Sequence, residues 1–258
     1  MGAVFEVRDA RTGVRFAAKR MVLEIQQCLS ILPKHLQIVR TIKHANIVAH
    51  VDSMLERKAD APPDSMPRAL WIVMELVDGC ALSRIIHDYV LSEDMIAAVV
   101  LGVVRALAHL HSMGIVHRDV KAENVLLARN GTVKLGGLGL AARLGDTDSS
   151  KEALAGTPYW MAPEQVKRSA YDGRADVWST GVLLFEVIEG QPPYIDQEPL
   201  RAMYSIATAG APQISKLDNY SEDLRDFMAS CLAMDPEHRP AAADLVNHPF
   251  LRRAKAPS

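Results

Sequence analysis

Apolar positions follow two different rhythms along the chain: mostly alternating up to about residue 75, and recurring at helical spacing from about residue 80. In the first part, VFEV and GVRFAAK flank the polar turn DARTG and predict a hairpin. Val14, Phe16 and Ala18 fall on one face of the second strand, and Arg15, Ala17 and Lys19 on the other. Val4 joins the Ala17 side across the pair. A helix is expected over residues 33 to 43, with Leu36, Val39 and Ile42 inward. Pro33 belongs in its first turn, because a proline deeper inside would break the hydrogen-bond ladder. ALWIVMELV reads as a buried strand, and the polar, proline-rich ERKADAPPDSMP before it as an exposed loop.

In the second part Ser92 is a natural N-cap, with Glu93 and Asp94 in the first turn. Ile96, Val99, Val100, Val103, Leu107 and Leu110 then repeat at helical spacing until Gly114 ends the element. DVWSTGVLLFEVIEG is a second, almost wholly apolar helix, closed by Gly190. SEDLRDFMASCLAMD and PAAADLVNHPFL supply two more. A small β-rich part beside a larger helical part implies a cleft between them, where ligands usually sit.

Composition narrows the function. With 49% apolar and 23% charged residues in 258, the chain can bury a sizeable core. Its 29 basic and 31 acidic residues nearly cancel, which removes the global electrostatic case for nucleic acid or an anionic membrane. The longest apolar run, MIAAVVLGVV, ends at Arg105 after ten residues, too short to span a bilayer. Cys28, Cys80 and Cys231 are isolated and odd in number, a usage that suits reduced thiols in the cytoplasm or nucleus. Oligomeric state is not legible.

The chemistry is concentrated in HRDVKAEN, which sets Asp119 five residues before Asn124 with Lys121 between them. An aspartate suits the acceptance of a hydroxyl proton in phosphoryl transfer, and an asparagine oxygen can hold magnesium. GTPYWMAPE follows at residues 156 to 164, DVWSTG at 176 to 181 and HRP at 238 to 240. His109 and His111 form an HxH with no cysteine or acid nearby in the sequence, which argues against a metal site. His117 reads as a packed, hydrogen-bonded core histidine.

With these motifs in place, the sequence resembles a eukaryotic protein kinase domain, and more narrowly the PAK-type serine/threonine kinases of the sterile-20 group. QEPLRAMYSIATAGAP and DFMASCLAMD…RPAAADLVNHPFL carry the narrower likeness, and the whole covers about residues 2 to 252. The resemblance implies an α+β, bilobal fold in a single kinase domain over residues 1 to 258. Its β-rich N-lobe would be residues 1–75, with the first strand missing, its hinge 76–79 and its helical C-lobe 80–258. It implies ATP and magnesium as cofactors and a protein as substrate or partner. Asp119 would be the catalytic base, Lys121 a neighbour of the transferred phosphoryl group, and Asn124 a magnesium ligand. Lys121 with Thr157 is the family's mark of serine/threonine substrates. Lys19 would reach the nucleotide's phosphates and Met74 would be the gatekeeper. The backbone of Glu75 and Val77 would hold adenine between Ala17 and Leu126, with Val4 the valine of the phosphate-covering loop. Glu164 and Arg239 would form a buried ion pair, and Asp176 would cap backbone near the HRD loop.

Five features depart from the family's pattern. The magnesium-binding aspartate falls on Gly137, and the helix glutamate that pairs with the strand lysine falls on His35. Pro33 lies in the same helix. Gly2 matches only the last glycine of the phosphate-covering loop, and the activation-segment threonine falls on Ala153, beside Glu152. These departures imply a pseudokinase that binds nucleotide or protein partners, with magnesium weakened or lost. The alternative is an active ATP-dependent serine/threonine kinase using Asp119 as base.

Overall fold

The computed structural model describes residues 3–22, 36–57, 67–144, 155–212, 214 and 217–254. The chain divides into two compact units, Met1–Asp78 and Gly79–Ser258.

The first unit is built on a four-stranded antiparallel sheet of order β1-β2-β4-β3. Its strands are β1 (Ala3–Arg8), β2 (Arg15–Val22), β3 (His50–Glu56) and β4 (Ala69–Glu75). The β1–β2 turn is closed by Asp9, whose Oδ1 accepts the backbone N–H of Arg11 and Thr12 and the Thr12 hydroxyl. Register pairs Val4 with Lys19, Lys19 with Ile72 and Ala17 with Met74. Because direct partners share a face, these five side chains line one side of the sheet, as the alternation requires. Of the predicted helix, residues 36–41 are helical, while Pro33 and His35 lie outside the described residues. Ile38, Val39 and Ile42 are buried; Leu36 is only half-buried.

The opposite face of this sheet carries a polar cluster that alternation alone does not reveal. Arg20 Nε and Nη2 donate to the two carboxylate oxygens of Glu56 at 2.8 and 2.9 Å. Trp71 Nε1 donates to Glu56 Oε2 at 2.8 Å. The hydrogen bonds from Arg20 and Trp71 lower the Glu56 carboxyl from its usual 4.5 to about 2. A carboxyl with a depressed pKa stabilises the fold above its unfolded value and loses that contribution as pH falls through the folded one. Glu56→Gln is therefore expected to flatten the fall of the thermal midpoint between about pH 4.5 and pH 2. Calorimetry at stepped pH checks this, and an unchanged acid limb would count against the cluster.

The second unit opens with β5 (Gly79–Ala81) and α1 (Leu82–Asp88), followed by the long helix α2 (Glu93–Ser112). Ser92 caps α2 by accepting the Met95 N–H, and Glu93 and Asp94 occupy its first turn. All six apolar positions read from the sequence are buried, none more than 5% exposed. In length and composition α2 could cross a membrane, but most of its apolar residues are buried inside the unit. Next come β6 (Ile115–Val116), β7 (Val125–Ala128), β8 (Val133–Leu135) and β9 (Ala142–Arg143). They form a three-stranded sheet, β5-β7-β8, and a two-stranded one, β6-β9.

The remainder is helical: α3 (Pro163–Val166), α4 (Arg174–Glu189), α5 (Pro199–Ala209), α6 (Glu222–Cys231) and α7 (Ala242–Leu245). Helix α4 is buried almost all round, from Ala175 to Ile188. PAAADLVNHPFL does not form the single helix expected of it. It splits into α7 and a 3-10 turn, Pro249–Arg253, because His248 before the proline adopts φ −60° and ψ 140°.

Candidate active site

The loop between β6 and β7 carries HRDVKAEN, and α4 holds it from beneath. Asp176, wholly buried, accepts the backbone N–H groups of His117 and Arg118, each at 2.8 Å. This fixes Arg118 at φ 67°, a left-handed conformation that costs a non-glycine residue on the order of 1–3 kcal/mol. Burial works to raise the Asp176 carboxyl, yet the bond from His111 Nε2 at 2.8 Å, together with the backbone donors, keeps it lowered. His111 thus has an acid partner 65 residues away along the chain, one that spacing in the sequence does not show. Burial also lowers His117, and its neutral ring bridges two loops. Its Nδ1 accepts the Asp119 N–H at 3.2 Å and its Nε2 bonds the Gly136 carbonyl at 2.8 Å.

Asp119, Lys121, Asn124 and Thr157 converge on one spot. Thr157 donates its hydroxyl to Asp119 Oδ1 at 2.6 Å and accepts from Lys121 Nζ at 2.9 Å. Lys121 Nζ is also 3.5 Å from Asp119 Oδ1, in a side chain only 5% exposed. Asn124 Nδ2 donates to the Asp119 carbonyl at 2.7 Å and to its Oδ2 at 2.8 Å. Thr157 reaches this position because Gly156 brings its backbone against the Arg118 carbonyl, where a Cβ would lie 2.9 Å from the oxygen.

Opposite Asn124, the β8 strand runs into Gly136 and Gly137. Gly137 takes φ 75°, and a Cβ built on it would overlap the Cγ, Oδ1 and Nδ2 of Asn124. No acid stands at this position. Among the described residues, no group of three or more His, Cys, Asp or Glu side chains is arranged to hold a metal ion.

Two anchors fix the segment that carries Thr157. Arg239 and Glu164 form a bidentate ion pair at 2.6 and 2.7 Å, with Arg239 2% and Glu164 6% exposed. Glu186, on α4, accepts the Trp160 indole N–H at 2.9 Å and the Ala122 N–H at 3.1 Å. Burial raises the Glu186 carboxyl, partly offset by these two donors. Lys121 Nζ lies 5.7 Å from the centre of the Trp160 ring, so Glu186 braces the HRDVKAEN loop through both Trp160 and Ala122. Glu186 has no place in the motifs read from the sequence, although an acid inside VLLFEVIE is a signal for a buried carboxylate with partners.

The expected nucleotide-contacting residues are distributed over the two units. Val4, Ala17, Lys19 and Met74 share one face of the first unit's sheet. Glu75 ends β4, where its Oε1 accepts the Ala49 N–H at 2.7 Å, and Val77 follows half-buried. Leu126 belongs to the second unit, on β7, paired with Ala81 and Lys134.

Compared with known proteins, residues 1–251 match the protein kinase domain. The chain belongs to the protein kinase family. This kinase domain is 40% identical over 250 residues to the serine/threonine-protein kinase pakA of Talaromyces marneffei, covering 97% of the chain and 37% of that protein. It is 39% identical over 254 residues to the mouse serine/threonine-protein kinase PAK 1, covering 98% and 45%. With the serine/threonine-protein kinase SMU1 of Mycosarcoma maydis it shares 39% over 255 residues, 99% of the chain and 33% of the relative. It is a PAK/Ste20-like serine/threonine kinase domain that spans between about a quarter and a half of the length of the curated relatives it matches.

Proposed function

We propose that this kinase domain acts in signalling chiefly by binding nucleotide and protein partners, with phosphotransfer impaired. Gly137 carries the reading. It stands where the family places its magnesium-binding aspartate, and the side chain packed against it is the neutral amide of Asn124. Magnesium prefers several hard, mostly anionic oxygens in near-octahedral geometry, and one amide oxygen is a poor donor set. Phosphoryl transfer depends on positioning and on neutralising the charge of the phosphates, and a missing metal ligand weakens both. His35, in place of the helix glutamate, pulls the same way. The whole chain acts as one kinase domain, and free thiols at Cys80 and Cys231 suit a cytoplasmic or nuclear setting.

One observation favours the alternative, an active serine/threonine kinase. The hydrogen bonds joining Asp119, Thr157 and Lys121 are formed, which supports a role for Asp119 as base and for Lys121 beside the transferred phosphoryl group. Thermal shift with ATP, with and without magnesium, and γ-phosphate transfer to a basic peptide separate the two readings. The impaired domain is expected to be stabilised by ATP with little added by magnesium, and to transfer phosphate far below about one turnover per second. Turnover at that rate, abolished by Asp119→Asn, would sink the proposal.

A further inference from the structure

We infer that the phosphate end of this site takes its nucleotide as a metal-free triphosphate, and that magnesium weakens nucleotide binding instead of strengthening it. The inference rests on the nucleotide-binding, impaired-transfer reading and adds the form of the ligand and the sign of the metal effect. A metal-bound triphosphate brings a hard ion that keeps part of its water and asks the protein for anionic oxygen. The second unit has little to give. Position 137 carries no side chain. Both Asp119 carboxylate oxygens already accept, Oδ1 from the Thr157 hydroxyl at 2.6 Å and Oδ2 from the Asn124 amide at 2.8 Å. That leaves the neutral carboxamide oxygen of Asn124.

What the same spot does hold is a cation. Lys121, with a side chain 5% exposed, keeps its ammonium 2.9 Å from the Thr157 hydroxyl and 3.5 Å from Asp119 Oδ1. Glu123 lies 3.4 Å from that ammonium but is more than half-exposed, where water screens its charge. An acid at 137 would set a further negative charge beside the triphosphate, and a divalent ion would be needed to offset it. With glycine there, the repulsion is gone and so is an anionic partner for the metal. Both effects favour the bare anion over the metal complex. Magnesium in solution then competes with the protein for ATP, because it holds the triphosphate in the form that the site binds less well.

Calorimetric titration of the whole chain with ATP, in EDTA and in excess magnesium chloride, tests this. The apparent Kd is expected to be at least about fivefold larger in magnesium. An equal or smaller Kd overturns the inference. Adenosine has no phosphates, so its Kd is expected to be the same in the two buffers; a matching rise with adenosine overturns the assignment to the phosphate end. Two variants isolate the charge. Aspartate and asparagine fill similar space and tolerate the φ of 75° at position 137 better than other side chains. Gly137→Asp is expected to reverse the order, binding ATP more tightly with magnesium than without, and Gly137→Asn to keep the wild-type order. A reversal in both, or in neither, overturns the inference. The wild-type comparison decides by itself if either variant fails to fold. Magnesium-tightened binding in a chain without γ-phosphate transfer defeats only this inference. Transfer at about one turnover per second defeats the impaired-transfer reading on which it rests.

Discussion

Arg239→Ala is expected to lower the stability of the chain by about 3–5 kcal/mol, the usual cost of leaving one member of a buried ion pair alone. The Glu164 carboxylate would keep its burial and lose both of its guanidinium donors, at 2.6 and 2.7 Å. Arg239 also donates to the carbonyls of Ala233, Arg174 and Met234 and stacks over Trp178 at 5.2 Å. Removing it therefore takes a donor from three carbonyls as well as from the carboxylate, which places the cost at the upper end of that range. For a domain of this size, 3–5 kcal/mol corresponds to a fall in midpoint of roughly 6–20 °C. Arg239→Lys is expected to recover only part of this, because one ammonium cannot form the two parallel bonds. A double replacement, Glu164→Gln with Arg239→Met, separates the cost of an orphaned charge from the worth of the pair. It should be milder than Arg239→Ala, since no buried charge is left without a partner. A double variant as unstable as the single would mean that packing, and not charge, dominates at this site.

Much of the second unit could be read directly from the sequence, for reasons particular to its elements. Helix α2 combines a capping serine, two acids in its first turn and six apolar residues at helical spacing, so local and tertiary signals agree. The sheet face holding Val4, Ala17 and Lys19 followed from alternation, which fixes sidedness once one residue is placed; that Met74 joins it came from the register. What could not be read were contacts between residues far apart along the chain. His111 meets Asp176 across 65 positions, and Ala122 meets Glu186 across 64. Neither pair has a local pattern, because each depends on how α4 packs beneath the HRDVKAEN loop. The split of the last predicted helix was legible in principle, since Pro249 restricts His248, but the apolar spacing of ADLVNHPFL outweighed it. At the site, Gly137 is legible in the sequence only as an absence. The geometry adds a consequence, that Asn124 fills the space a side chain would need.

Restoring a carboxylate with Gly137→Asp is expected to raise γ-phosphate transfer by roughly a hundredfold. A magnesium ligand contributes on the order of 4 kcal/mol to a transition state of this kind, or about a thousandfold. The gain is reduced by the backbone. Position 137 has φ 75°, where a non-glycine residue is strained by about 1–2 kcal/mol, although aspartate tolerates that region better than most. The new Cβ must also expel the Asn124 amide and its two bonds to Asp119. Since about 4 kcal/mol exceeds about 1–2, the sign stays positive, and the remainder of about 2–3 kcal/mol sets the hundredfold scale. His35→Glu on top of Gly137→Asp should add a further rise, less than additive because the two groups serve one phosphate assembly. Asp119→Asn in the same background should abolish the recovered transfer, which separates it from a contaminating kinase. Single-turnover measurements at saturating ATP and magnesium read the chemical step directly. If Gly137→Asp leaves the rate unchanged while the chain stays folded, the glycine does not limit the chemistry. The burden would then fall on position 35 and the phosphate-covering loop.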